Sequence, residues 1–263
     1  MDECGNYFIE DIGERLGRGG FGEVYKCYVY NKTRDYRSTY ARKYFSPSPE
    51  NDNSYAREVA NLRERFLIEI KTQYSLNNLK HSAIAPIVLF KDEGEKPYFI
   101  MELATCNLRE CINAGMSSDE KANAVIRTLK GVKLIHENNY IHRDLKPENI
   151  LYYGDGAFKI SDFGLVKDMD TIRAEVKTRF NPHGIGTDGY RAPEIGDKGV
   201  FSVQTDIYAL GKIICDIYAD NTPPKVKDII AKCSNYFPDA RYGSVEELLI
   251  EFRKAVKLVT EIA

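Results

Sequence analysis

Tyr140-Ile141-His142-Arg143-Asp144-Leu145-Lys146-Pro147-Glu148-Asn149-Ile150 is the stretch on which the reading of this chain turns. Thirteen residues beyond Asn149 stands Asp162-Phe163-Gly164, followed by Gly186-Thr187-Asp188-Gly189-Tyr190-Arg191-Ala192-Pro193-Glu194. The chain on either side is mainly of helical period. Ser117 with Glu120 has the spacing of a capping box and predicts a helix with a stripe of Ala122, Val125, Leu129 and Val132. Ser244 with Glu247 repeats the device and opens a last helix bearing Val245, Leu248, Phe252, Val256 and Val259 on one face.

The first hundred residues read differently. Alternating apolar and polar positions predict strands over 7–16, 23–30, 38–45, 84–90 and 97–103, with Asp92-Glu93-Gly94-Glu95 as a hairpin turn. A single helix over 55–76 carries Val59, Leu62, Phe66 and Ile70, and the prolines and polar residues of 46–53 make an exposed loop before it. Strands first and helices second give an α+β chain of two lobes, and such a boundary commonly forms a ligand cleft.

Composition narrows the function. At 263 residues, 43% hydrophobic and 29% charged, the chain is an ordinary globular protein. A net charge of -2 argues against a nucleic-acid binder, and no apolar run approaches a membrane span. The start lacks a signal peptide's basic and apolar regions, so the expected location is cytoplasmic, or a host cell's interior should the source be a pathogen. The six cysteines are scattered without a C-x-x-C pair and apart from the four histidines, which favours free thiols in a reducing compartment.

Gly17-Arg18-Gly19-Gly20-Phe21-Gly22 lies between two strand-like runs rather than between a strand and a helix. That context disfavours a dinucleotide site and suits a hairpin covering phosphates, where a Cβ would hold backbone N–H groups away from the oxygens. Twenty-one residues after Gly22, Lys43 in Tyr40-Ala41-Arg42-Lys43 can neutralise those phosphates, given an anion to hold it. Glu69 in the following helix is the first candidate and Glu64 the alternative.

Together these segments resemble the eukaryotic-type protein kinase family, serine/threonine branch, in order and at near-family spacing along nearly the whole chain. The resemblance implies a bilobal α+β fold, with an N-lobe over 1–103, a hinge over 104–106 and a C-lobe over 107–263. It implies ATP and Mg²⁺ between the lobes, Mn²⁺ being a substitute, and protein partners offering serine or threonine hydroxyls. Asp144 then takes the hydroxyl proton, Lys146 reaches the γ-phosphate, and Asn149 and Asp162 are the metal ligands. Lys43 and Glu69 form the phosphate-binding pair. The adenine site comprises Leu16, Val24, Ala41, Met101 as gatekeeper, the backbone of Glu102 and Ala104, and Leu151, while Gly17, Gly19 and Gly22 cover the phosphates and Asn107 faces the ribose. Lys146 and Thr187 mark serine/threonine rather than tyrosine specificity. Asp206 braces the catalytic loop, Arg241 pairs with Glu194, and Arg143 contacts a phosphate added by autophosphorylation at Thr171 or Thr178.

The chain departs from the family in a longer 162–194 segment, an extended 46–56 loop, and Asp220-Asn221-Thr222-Pro223-Pro224 running almost directly into 226–233, where the family has a substrate-docking helix called G. Two other classes compete. A catalytically dead scaffold needs a lost Lys, Asp or Asn, and Lys43, Asp144, Asn149 and Asp162 are all present. A small-molecule phosphotransferase lacks the 186–194 element, which shapes a peptide site.

Overall fold

The computed structural model describes residues 1–19, 22–47, 55–79, 83–169 and 187–262. Its contacts divide the chain into two units, Met1–Leu79 with Ala85–Ala104, and Lys80–Ile84 with Thr105–Ala263.

The first unit is an antiparallel sheet with one helix. Strands β1 (Asp2–Cys4), β2 (Tyr7–Arg18), β3 (Gly22–Asn31), β4 (Arg37–Phe45), β5 (Ile87–Lys91) and β6 (Tyr98–Glu102) lie in the order β1-β2-β3-β4-β6-β5. Strand side chains alternate between faces, so each strand feeds two clusters. Ala41, Phe45, Phe99 and Met101 face helix α1 (Tyr55–Asn77), packing with Phe66, Ile70 and Ile87. On the other face, Tyr98 and Ile100 pack with Ile9, Cys27 and Val29. The same alternation sends Lys43 to the helix side and its neighbour Arg42 to the opposite one. There the Arg42 guanidinium is buried between the rings of Tyr44 and Tyr98, 4.2 and 3.8 Å from their centroids, and pairs with Asp2 and, at 3.6 Å, Asp11. That hydrogen bond from Arg42 holds the Asp2 carboxyl below its ordinary range, against the opposing effect of burial.

Two expectations need correction here. The strand predicted to begin at 84 pairs only from Ile87, because Pro86 has no N–H to give and its carbonyl accepts from Glu102 N. Ile84 instead forms a parallel bridge with Ile160 in the second unit. Asp2–Cys4, for which no strand was predicted, form β1, paired Asp2↔Ile9, Glu3↔Phe8 and Cys4↔Tyr7.

The second unit is mainly helical: α2 (Leu108–Ala114), α3 (Ser118–Glu137), α4 (Pro193–Lys198), α5 (Val203–Tyr218), α6 (Pro224–Cys233) and α7 (Val245–Ile262). Ser117 caps α3 with Glu120 returning the bond, and Ser244 Oγ accepts from Glu247 N at 3.2 Å near the start of α7. Helix α5 is buried on nearly every side, and α6 crosses it so closely that a Cβ on Gly211 would come within 2.5 Å of Cys233 Cβ. A single 3-10 turn, Ala219–Asn221, joins α5 to α6. Short strands complete the unit: β7 (Cys106–Asn107), β9 (Ile150–Tyr152) and β10 (Phe158–Ile160) in the order β10-β9-β7, and β8 (Tyr140–Ile141) against β11 (Lys167–Asp168). No helix among the described residues is long and apolar enough to cross a membrane.

Candidate active site

In the first unit, β2 and β3 close over the glycine segment with Gly17↔Val24 in register and Gly19 N donating to Gly22 O at 2.8 Å. Gly22 is glycine for packing: a Cβ there would fall 2.0 Å from the Tyr44 carbonyl oxygen on β4. Gly17 and Gly19 are different, since a Cβ on either meets nothing within 4 Å. Leu16 is exposed beside them, in a strand irregularity between the Arg15↔Tyr25 and Gly17↔Val24 pairs.

Sheet register then sets one row of side chains. Val24 pairs with Lys43, Lys43 with Phe99, and Ala41 with Met101. Lys43 is buried in the middle strand, between Val24 and Phe99, and its Nζ donates to Glu69 Oε1 at 2.6 Å, so α1 presents Glu69 rather than Glu64 to it. Glu69 is itself fully buried, next to Ile70 of the helical core. An ion pair this enclosed is costly to form and costlier to break from one side. Gln73, one turn on, donates to the Ala85 carbonyl at 2.9 Å and to Met101 Sδ at 3.5 Å, which fixes α1 against β6. Glu102 ends β6 exposed, its N–H taken by Pro86 O, and Ala104 closes the unit's second segment.

In the second unit several of the candidate side chains gather around Asp144. Thr187 Oγ1 donates to Asp144 Oδ1 at 2.8 Å and accepts from Lys146 Nζ at 2.9 Å, while Lys146 Nζ also lies 3.0 Å from Asp144 Oδ2. Asn149 Nδ2 donates to the Asp144 carbonyl at 2.8 Å and to its Oδ2 at 3.1 Å. Every oxygen of Asp144 named here is thus held by a donor. Asn149 ends the 3-10 turn Pro147–Asn149, and its carbonyl accepts from Ser161 N at 2.8 Å, one residue before Asp162. The β9–β10 ladder (Ile150↔Ile160) therefore delivers Asn149 and Asp162 at one end of a hairpin. Asp162 adopts φ +60, a left-handed conformation uncommon outside glycine and typical of constrained sites. An amide oxygen and a carboxylate are hard donors of the kind that fit Mg²⁺.

The loop bearing Asp144 is anchored from behind. Asp206 on α5 accepts from His142 N at 2.9 Å, Arg143 N at 3.0 Å and His136 Nε2 at 2.8 Å. Complete burial opposes its charge, but the His136 hydrogen bond, the two histidines and the His142 N–H outweigh that and hold its carboxyl below the ordinary value. His142 Nδ1 accepts from Asp144 N at 3.3 Å and its Nε2 meets Ser161 O at 3.1 Å, so one ring ties Asp144 to the residue preceding Asp162. Phe163 packs edge-on against that ring with centroids 5.1 Å apart. Arg143 stacks on Phe201 at 3.9 Å, and Thr171 and Thr178 lie outside the described residues.

Arg241 clasps Glu194 through two parallel hydrogen bonds of 2.7 and 2.8 Å, both residues buried. Leu151 pairs with Asn107 across β9 and β7, and Asn107 Oδ1 caps α2 by accepting from Glu110 N at 3.0 Å, a structural duty for a side chain expected to face the ribose. Two features had no signal in sequence spacing. One is His136, 70 positions from Asp206. The other is a cluster in which Arg109 on α2 binds Glu148 Oε1 at 3.0 Å and Asp216 Oδ2 at 2.7 Å, with the Tyr190 hydroxyl bonded to both Arg109 and Asp216. It joins the catalytic stretch, the 186–194 segment and α5.

Comparison with known proteins gives the same direction. The family model described as protein kinase domain matches residues 11–250. Cyclin-dependent kinase F-3 of Oryza sativa subsp. japonica is 32% identical over 155 residues, 57% of this chain and 34% of its own length. Calcium/calmodulin-dependent protein kinase type 1 of Caenorhabditis briggsae is 31% identical over 221 residues, 81% of this chain and 55% of its own. A Lactococcus lactis protein named "Probable serine/threonine-protein kinase PknB" is 27% identical over 246 residues, 91% of this chain and 36% of its own. The chain thus spans between a third and just over half of these relatives.

Proposed function

Because the chain belongs to the protein kinase domain family, we propose that it transfers the γ-phosphoryl group of ATP to serine and threonine hydroxyls of other proteins. The observation that carries the reading is the Asp144–Thr187–Lys146 triangle, closed by hydrogen bonds of 2.8, 2.9 and 3.0 Å. Phosphoryl transfer asks for in-line positioning and neutralisation of spread negative charge, with little covalent work for the protein.

Asp144, fixed by Asn149 and Thr187, orients the acceptor hydroxyl and receives its proton as the bond to phosphorus forms. Lys146 is the cation beside it, and leans on the migrating phosphoryl oxygens. Lys43, held by Glu69, neutralises the phosphates that stay behind. Gly17 and Gly19 let the backbone approach those phosphates: no packing contact requires glycine at either place. Within the first unit, Val24, Ala41 and Met101 supply apolar contacts and the 102–104 backbone the polar edge for a purine. Asn149 and Asp162 would hold Mg²⁺, which when bound would offset the negative charge of the phosphates. Among the described residues no group of three or more His, Cys, Asp or Glu could hold a metal by itself, in keeping with a cation that draws further ligands from nucleotide and water. The Thr187 bridge and Lys146 favour serine and threonine as acceptors. Autophosphorylation at Thr171 or Thr178, read by Arg143, belongs to the same proposal.

The test is direct. Purified protein with ATP and Mg²⁺ is given a generic basic protein, and the product is hydrolysed for phosphoamino-acid analysis. Phosphoserine or phosphothreonine that disappears in Asp144→Asn protein is expected. Mainly phosphotyrosine overturns the acceptor assignment, and equal incorporation by Asp144→Asn overturns the catalytic one.

A further inference from the structure

Cys106 and Cys111 are five positions apart in sequence, one on β7 and the other in α2, and their Sγ atoms stand 3.2 Å apart. All six thiols are free: these two and Cys4 are half-buried, Cys27 and Cys233 are enclosed, and Cys215 is exposed. A formed disulfide has its sulfurs about 2.05 Å apart, so closing this pair takes a movement of roughly 1.2 Å. Both backbones are fixed from outside the pair. Cys106 pairs with Tyr152 of β9, and the Asn107 cap secures the first turn of α2. The backbone positions of the pair are therefore set by the fold.

We propose that Cys106 and Cys111 form an oxidisable dithiol, a modification site at which a peroxide closes an intrachain disulfide. In the first step the Cys106 thiolate attacks one peroxide oxygen, the O–O bond breaks, and Cys106 becomes a sulfenic acid as water leaves. In the second, Cys111 sulfur attacks the sulfenic sulfur, the S–O bond breaks, and its proton leaves with the hydroxyl as a second water. Two thiols and one hydrogen peroxide thus give one disulfide and two waters, each sulfur oxidised by one electron and both peroxide oxygens reduced. The order follows from the environment. Burial first, then the hydrogen bond to Cys106, pushes the Cys111 thiol up to about 12, so it holds its proton and is a poor first nucleophile toward peroxide. Proximity makes the second step intramolecular, which protects Cys106 from further oxidation. Reduction by an external dithiol reverses the bond. None of this depends on the catalytic reading.

Arg109 lies between the two cysteines, so trypsin separates them into peptides 92–109 and 110–121, Lys96 being protected by Pro97. Reduced, folded protein is treated with hydrogen peroxide, blocked with an alkylating agent, digested without reductant and mapped by mass spectrometry. A linked 92–109/110–121 species lighter by two hydrogens is expected, formed before Cys215 is oxidised and abolished by dithiothreitol. Cys106→Ser and Cys111→Ser should each remove it, and Cys111→Ser should accumulate sulfinic acid at Cys106. Separately alkylated Cys106 and Cys111 at a peroxide dose that oxidises Cys215 overturn the proposal. A linked species equally abundant in protein oxidised while unfolded also counts against it, since the fold then contributes nothing.

Discussion

Asp144, Asp162 and Lys43 differ in what surrounds them, and that sets how each should fail. Asp144→Asn keeps the shape but gives up the charge that accepts from Thr187 and Lys146. Asp162→Asn exchanges a carboxylate for a weaker metal donor. Lys43→Met removes a buried cation and the 2.6 Å bond it gives to the fully buried Glu69. Each should lower phosphoryl transfer by at least about a hundredfold, the scale of losing one preorganised electrostatic contact. Single-turnover rates on purified, folded variants are the check, and wild-type-like turnover in Asp162→Asn would remove that residue from the metal site. Arg241→Met tests the opposite kind of residue. It leaves Glu194 charged and buried with its two best donors gone, so urea unfolding should show a loss of about 3–5 kcal/mol. Catalytic rates per folded molecule should move far less.

The capped helices separate structure from function at the next scale. Ser117 and Asn107 cap α3 and α2 with the same reciprocal geometry. Alanine at either should cost about 1 kcal/mol of stability. Asn107→Ala alone should also raise the KM for ATP, if its amide serves the ribose as well as the cap. An unchanged KM would leave it a cap and nothing more. Elements of this kind were readable in advance because their signals are local: the Ser117/Glu120 spacing, the stripe of α1, and the alternation in β3, β4 and β6. What escaped prediction depended on partners distant in the chain. Asp2-Glu3-Cys4 has no strand pattern of its own and is a strand because β2 offers its edge and Arg42 binds Asp2. Residues 84–86 look like the start of β5, yet Pro86 breaks the ladder and Ile84 goes to Ile160. At the candidate site, Lys43, Asp144, Asn149 and Asp162 were named from motif and spacing, and Glu69 ahead of Glu64, an order with which the Lys43–Glu69 bond agrees. The Arg109–Glu148–Asp216–Tyr190 cluster was invisible, its members lying up to 107 positions apart.

For the molecule as a whole, acid should act through Asp206. Its folded-state pKa lies below the ordinary aspartate value, so the stability it contributes is present above that ordinary value and is lost as pH falls through the lower, folded one. Urea midpoints should therefore fall on acidification in the wild type, and Asp206→Asn, less stable at neutral pH, should show a shallower fall. Equal slopes would show that other carboxylates govern acid unfolding. Back on β4, Arg42 and Lys43 are adjacent cations sent to opposite faces, each with its own acidic partner and its own aromatic surroundings. If that strand slipped by one residue during folding, every side chain would change face. The lysine would then sit among tyrosines, and the arginine's wider fork would press on a glutamate enclosed by Phe66 and Ile70. The two ion pairs thereby disfavour a β4 shifted by one residue from its native register.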